Sequence, residues 1–245
     1  VALRNLNATN LALGQTQDKV STGLKVIGAK DDASSFAIAQ GIRAELKGIG
    51  AVKQGLSNGQ GVATVAISGT TEVSNLLADI KKKIIEGLNP ANTSEQQVIL
   101  NADFVGLIGQ ILTFVQNAEF NGRNILESGG SNVNVIADTN GGSLTLRAQD
   151  MEGTAFSPLN AQNLANTSAA SASLTVVNSV IATVNTALGQ LGADNRALTF
   201  QDSFLTAISD ATEEGLGAIV DADLAKESAR LQALQVKQQL SVQTL

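Results

Sequence analysis

The sequence predicts a mainly α protein: an elongated bundle of long, coiled-coil-like helices carrying one small β-hairpin. Three observations support that expectation. Apolar residues recur at three-, four- and seven-residue steps over most of the chain. Residues 132–148 instead alternate polar and apolar side chains about a turn. Aromatic residues make up only 3% of the 245 residues, with no Trp and no Tyr. The core must then be built of Leu, Ile, Val and Ala, which suits thin helical bundles better than a thick globule.

Leu6, Leu13, Val20 and Ile27 recur every seven residues, with Leu3 and Leu24 at companion positions. The other companions, Asn10 and Gln17, are polar. This reads as a narrow seam that wants a partner helix. Within "STGLKVIGAKDDASSFAIAQG", residues 21–41, Thr22-Gly23 and Gly28 interrupt the pattern. Asp31 or Asp32 supplies an N-cap and favourable negative charge for a new helix, which extends to about Leu88. Val73, Leu77, Ile80, Ile84 and Leu88 form its late apolar face. Its middle, "GLSNGQGVATVAISGTT", is uncharged and holds four glycines. An interior Gly costs about 0.5–1 kcal/mol relative to Ala, so this stretch alone reads as a loop. Its small residues also permit close helix approach, and a packed helix is the expectation.

"GLNPANTSEQQ" marks a boundary: Pro90 follows the stop, and Ser94 with Gln97 forms a capping box for the next helix. Leu100, Phe104, Leu107, Ile111, Phe114 and Ala118 line that helix, and "NGRN" ends it. Asn132–Ala137 and Ser143–Ala148 flank "DTNGG" as a hairpin with Val133, Val135, Leu144 and Leu146 on one face. Residues 149–170 read as loop. A helix over about 172–215 carries Leu174, Val177, Ile181, Val184, Leu188 and Leu191. At about 1.5–3 kcal/mol per buried aliphatic side chain, that face offers on the order of 10 kcal/mol if covered. The last helix, Leu224–Leu245, has Leu224, Leu231, Leu234, Leu240 and Leu245 as its larger apolar residues and no C-terminal cap signal. Val1 is not an initiator Met, so removal of the true N-terminus is the expectation, and the last helix reads as cut mid-helix.

Composition narrows the chemistry. A net charge of −6 argues against non-specific binding to nucleic acid or anionic membranes. With no Cys and no His, the Ser-His, Cys-His and HExxH arrangements are absent. No catalytic, cofactor-binding or metal-binding residues are assigned. The uncharged stretch 153–193 is punctuated by Ser, Thr and Asn, so membrane insertion is not expected, and no secretory signal opens the chain. As a sugar-binding surface the same stretch lacks aromatic platforms, having only Phe156. Lys81, Lys82 and Lys83 read as a solvated helix face or, less simply, a basic patch. Asp31-Asp32 and Asp221–Asp223 are explained by capping before cation binding, and Glu213-Glu214 by surface exposure.

Four ordered segments, "STGLKVIGAKDDASSFAIA", "NAEFNGRNIL", "ALGQLGADNRAL" and "IVDADLAKESARLQALQVKQQL", resemble the N- and C-terminal signatures of bacterial flagellins. The resemblance covers residues 1–148 and 171–245. It implies an inner-tube helix remnant and spoke at 1–31, an outer-tube domain at 32–215, and a second spoke and inner-tube helix at 216–245. It makes the break at 21–31 a joint between two layers of a filament, the loop at 149–170 a shortened variable region, and the hairpin a contributor to subunit contacts. The implied role is an extracellular structural subunit of the flagellar filament, not an enzyme, with no cofactor. Subunit contacts would come from Leu6, Leu13, Val20, Leu224, Leu231 and Leu234. Implied partners are other copies, other flagellins, an export chaperone, the type III export apparatus, and hook-associated and cap proteins. Flagellins sensed by the vertebrate Toll-like receptor for flagellin carry Arg-Glu-Leu near Lys81–Lys83, so the lysines put that recognition in question. The alternatives are a surface adhesin or polysaccharide receptor on the same scaffold, or a hook–filament junction protein of the same superfamily.

Overall fold

A computed structural model describes residues 2–243. Val1 and Leu245, both used above to read the chain ends, lie outside the described residues. The helices are α1 (Ala2–Thr22), α2 (Ala33–Gly87), α3 (Ser94–Asn117), α4 (Ser157–Asn160), α5 (Thr167–Val220) and α6 (Leu224–Gln243). Strands β1 (Glu119–Phe120) and β2 (Arg123–Asn124) pair with each other, as do β3 (Val133–Ile136) and β4 (Ser143–Leu146), both antiparallel. The mainly α fold with a small hairpin is the one the sequence predicts. Two compact units are present, one of residues 1–50 and 205–245, the other of residues 51–204. The sequence divides the chain at 31/32 and 215/216, following breaks and glycines. Compactness divides it inside α2 and α5.

The unit of residues 51–204 has one hydrophobic core supplied by α2, α3 and α5. On α2, Val52, Leu56, Gly59, Ala63, Ala66, Thr70, Val73, Leu77, Ile80 and Ile84 are all buried, at alternating three- and four-residue steps. The glycine-bearing middle is therefore helix, and its small residues follow the same stripe as the large ones. A Cβ on Gly61 would sit 2.6 Å from Phe120 Cζ, and one on Gly69 would sit 2.9 Å from the Ala118 Cβ. These glycines let neighbouring segments lie against the helix. Thr70 is buried with its hydroxyl donating to Ala66 O at 2.8 Å, so its polar atom is satisfied inside its own helix.

The start of α3 differs by one residue from the sequence reading. Thr93 is the N-cap and pairs reciprocally with Gln96, not Ser94 with Gln97. Gln97 is instead buried and donates to Gly87 O at 3.0 Å, tying α3 to the end of α2. The buried face is Gln97, Phe104, Ile108, Ile111 and Val115. Phe114 is exposed, and Leu107 is only partly buried against the core. At the end of α3, Asn124 Nδ2 donates to Val115 O at 2.7 Å, while its Oδ1 accepts from Leu126 N. Asn121 and Gly122 have φ of 50° and 75°, which gives β1–β2 the turn chemistry expected of an Asn-Gly pair.

Val133↔Leu146 and Val135↔Leu144 are directly opposed across β3–β4, so the four apolar residues share one face as expected. Residues 149–170 are loop only in part, at 149–150 and 161–166. A π-helical turn, Glu152–Phe156, leads into α4, and Met151, Ala155, Leu159 and Leu164 are buried in the core. On α5 the buried stripe is Ala170, Ser173, Val177, Val180, Val184, Ala187 and Leu191, with Leu174, Ile181 and Leu188 on its flanks. By length and composition α3 and α5 could each cross a membrane, but each contributes a face to this core. Arg147 grips Asp194 with its Nε at 3.1 Å and a terminal nitrogen at 2.7 Å, which joins the end of β4 to α5.

Candidate functional site

In the unit of residues 1–50 and 205–245, α1 packs against α6. The least exposed line on α1 is Leu6, Thr9, Leu13, Thr16 and Val20, at steps of three and four. Leu6, Leu13 and Val20 belong to the predicted seam and are half-buried. Its companions are Thr9 and Thr16, both buried, and not Leu3, Asn10, Gln17 and Leu24. Thr9 returns its hydroxyl to Asn5 O at 2.9 Å, which leaves its methyl free to pack. Asn10 lies at the exposed edge and accepts from Gln238 Nε2 at 2.8 Å. The signal for Thr9 and Thr16 was present in the spacing, but Thr scored as polar.

On α6 the half-buried line is Glu227, Leu231, Leu234, Gln238 and Ser241. Leu231 and Leu234 therefore sit on this line, whereas Leu224 is exposed. Glu227 Oε2 is buried without a hydrogen-bond partner, a polar intrusion the sequence reading missed. The rest of the apolar surface points outward: Leu3 and Leu11 on α1, and Val236, Leu240 and Val242 on α6, are all exposed. Each helix thus has one face toward its partner and a second apolar set left uncovered.

The break at 21–31 is built from specific bonds. Gly23, at φ 72°, ends α1 with its N–H on Lys19 O. Leu24 then bridges Asp221: Lys25 N donates to Val220 O at 2.7 Å, and Ala222 N donates to Gly23 O at 2.8 Å. Lys25 Nζ reaches Ala218 O at 2.9 Å, a cation on the carbonyl end of α5. Asp31 Oδ2 accepts from Ile27 N and Gly28 N and closes the loop on itself. Asp32 is the N-cap of α2, accepting from Ser34 N and Ser35 N, with Ser35 Oγ at 2.7 Å. The Ser35 hydroxyl, followed by the two N–H groups, holds its carboxyl below the usual carboxylate range. Asp223 Oδ1 accepts from Lys226 N at the start of α6. The segment that follows α1 and the segment that precedes α6 are thus joined to each other.

In the other unit, Lys83 lies 3.3 Å from Glu86 and 3.3 Å from Asp103, and Asp103 with Glu86 raises its pKa. Lys82 is exposed and Lys81 half-buried. The three lysines therefore do not form one uniform patch. Among the described residues no three His, Cys, Asp or Glu side chains gather as a metal site. The arrangement offers contact surfaces and capped joints.

The matches to known proteins agree with this layout. Residues 1–131 match the bacterial flagellin N-terminal helical region, and residues 174–245 match the bacterial flagellin C-terminal helical region. The chain is 32% identical over 245 residues to flagellin FljO of Caulobacter vibrioides, with all of this chain and 90% of that protein aligned. It is 33% identical over 258 residues to a flagellin of Brucella melitensis, again covering all of this chain and 90% of that protein. In fold it is similar to the crystal structure of Bacillus cereus flagellin, with TM-score 0.58, 18% identity, and 62% of this chain and 88% of that one covered. A putative flagellar hook-associated protein from Vibrio parahaemolyticus is similar with TM-score 0.66 and 12% identity, over 78% of this chain and 100% of that one. With both helical regions matched in order and full-length relatives above 30% identity, the chain belongs to the bacterial flagellin family, the structural subunits of the flagellar filament.

Proposed function

We propose that this flagellin builds the inner layer of its filament from the α1–α6 pair, and that the outward apolar residues of that pair are the subunit contacts. The observation that carries the reading is the second apolar set. Leu3, Leu11, Leu224, Val236, Leu240 and Val242 remain exposed after α1 and α6 have packed together. Exposed aliphatics in this number on two short helices are unfavourable in water and are covered when copies associate. Leu6, Leu13, Val20, Leu231 and Leu234 then hold the pair itself, while Leu224 belongs to the outward set.

The protein works as a structural element outside the cell, exported through the flagellar type III apparatus with a chaperone and retained beneath cap and hook-associated proteins. The joined segments around Leu24 and Asp221 support a joint between layers, because their backbone bonds fix where α1 and α6 leave the rest of the chain. Receptor-recognised flagellins carry Arg-Glu-Leu near the position of Lys81–Lys83, and the lysines here put recognition by that receptor in question.

The test is polymerisation of the full-length protein carrying Leu11→Asp and Leu240→Asp. Both positions are exposed, so the helical circular dichroism should be unchanged while filament formation is lost. Normal filaments from this variant would contradict the contact assignment.

A further inference from the structure

Three Asn-Gly dipeptides occur in the chain: Asn58-Gly59, Asn121-Gly122 and Asn140-Gly141. The Asn amide is a thermolabile group, and a following Gly hinders backbone attack on it least, because no Cβ stands beside the attacking nitrogen. In an unfolded chain the three sites would be nearly equivalent. The fold makes them different.

Asn58-Gly59 lies in the interior of α2, where the Gly59 N–H is held by the carbonyl four residues back and Val135 fills the space beside the glycine. Freeing that nitrogen requires unwinding a core helix. Asn121-Gly122 is the two-residue turn of β1–β2, closed directly by the Phe120↔Arg123 pair. Both residues hold positive φ, 50° and 75°, and the Asn124 side chain ties the turn to Val115 O at 2.7 Å. Rotating the Asn121–Gly122 peptide breaks the turn itself.

Asn140-Gly141 is held far less firmly. The last ladder pair of its hairpin is Ile136↔Ser143, so residues 137–142 form a loop beyond the ladder. Asn140 and Gly141 are exposed there, and a Cβ on Gly141 would meet nothing within 4 Å. The Gly141 N–H donates to Asp138 O at 3.4 Å, longer than the usual range for such a bond. The loop is otherwise held by the Asp138 carboxylate, which accepts from Asn140 N at 2.7 Å and Gly142 N at 2.9 Å, and by Ala137 N on Gly142 O at 2.8 Å. These bonds are local to the loop, so it opens without disturbing the core. The two successive glycines supply the backbone rotation.

We propose that Asn140 is a site of spontaneous deamidation, selected by the fold over Asn58 and Asn121. The Gly141 nitrogen attacks Asn140 Cγ and forms a new C–N bond. The Cγ–Nδ2 bond breaks, and ammonia leaves with the Gly141 amide proton. The product is a cyclic succinimide, which solvent water opens by adding to one of its two carbonyls. Cleavage at Cγ gives Asp. Cleavage at the backbone carbonyl gives isoaspartate, with the chain routed through Cβ. Nothing is oxidised or reduced. Either product places a second carboxylate near Asp138, and isoaspartate also lengthens the loop by a methylene. This chemistry goes beyond the filament reading and does not depend on assembly.

Trypsin places the three Asn-Gly pairs in separate peptides, 54–81, 84–123 and 124–147. The full-length protein is held folded and monomeric in mildly alkaline buffer, and peptide mass spectrometry with fragment sequencing follows conversion at each site. Asn140 should convert at least about tenfold faster than Asn58 or Asn121, because only its loop opens readily. In concentrated urea the three rates should draw together. The acidic species that accumulates on anion exchange should be lost in Asn140→Gln, whose longer side chain closes the ring poorly. Folded protein in which Asn58 or Asn121 keeps pace with Asn140, or in which Asn140 stays an amide while reacting in urea, overturns the proposal. An Asn140 preference that persists in urea overturns selection by the fold. An acidic species that persists in Asn140→Gln overturns the site.

Discussion

Gly59 on α2 and Val135 on β3 are so close that a Cβ on the glycine would fall 2.6 Å from Val135 Cγ2 and 3.1 Å from its Cγ1. The hairpin reaches the helix surface because Gly59 has no side chain. This explains why an uncharged, glycine-bearing stretch remains helical: what it loses in helix propensity is offset by the hairpin it accommodates.

That relationship predicts opposite signs for two similar substitutions. Gly55→Ala places a methyl in open space and should stabilise by about 0.5–1 kcal/mol through helix propensity. Gly59→Ala gains the same propensity, but the β-branched Val135 cannot swing away, and overpacking costs about 1–3 kcal/mol. The net effect should be destabilising. Thermal melts of the two variants check this, and equal stabilisation by both would show that the hairpin yields.

A second prediction separates neighbours on α3. Ile108 is 2% exposed within the core, whereas Leu107 is partly buried at its edge. Ile108→Ala should cost about 2–5 kcal/mol, and Leu107→Ala clearly less. Denaturant titration of each reads the difference directly. An equal loss would mean that the buried face of α3 has been placed one residue out.

A third concerns acid. The carboxyl of Asp32 is held below its ordinary value by Ser35 and the N–H groups it caps. A lowered folded-state pKa contributes stability that is fully present above the unfolded value of 3.8 and is lost as pH falls through the lower folded value. The start of α2 should therefore loosen only in strongly acidic solution. Asp32→Asn, which still caps but does not titrate, should remove that dependence. Amide exchange at Ser34 and Ser35 as pH falls from 5 to 2 (about the span over which such a group titrates) makes the comparison. Identical acid profiles for the two proteins would contradict the assignment.

The long helices were legible because their stripes are built of large aliphatics at regular steps, as Val73, Leu77, Ile80 and Ile84 show. Small or polar residues at the same steps hid what the sequence reading missed. Thr9 and Thr16 are buried on α1, yet a strict seven-residue spacing put the companion line on Leu3, Asn10, Gln17 and Leu24. The capping register slipped because Thr93/Gln96 and Ser94/Gln97 have the same spacing, and only the buried amide of Gln97 distinguishes them. Residues 149–170 read as loop in the sequence. Met151, Ala155 and Leu159 nevertheless repeat every four residues and enter the core. The outward apolar set on α1 and α6 was visible as hydrophobicity, but which residues faced the partner helix depended on the Thr positions.

A fourth prediction probes the α1–α6 pair itself. Leu13 and Leu231 are half-buried on the lines where the two helices pack. Replacing either with Asp should place a charge in a largely apolar seam and separate the helices, with loss of helical signal and of assembly together. This differs from Leu11→Asp, which should leave the helical signal intact. Circular dichroism alongside sedimentation distinguishes the two classes, and a normal helical signal from Leu13→Asp would show that the seam lies elsewhere.

The central claim is that this chain is a filament subunit whose α1–α6 pair forms the inner layer. Electron microscopy of the full-length protein after salt-induced polymerisation tests it most directly. The account predicts long helical filaments with α1 and α6 innermost and their exposed leucines covered by neighbouring copies. Particles that stay monomeric under all polymerising conditions and bind a polysaccharide saturably would contradict it and favour a surface receptor built on the same scaffold.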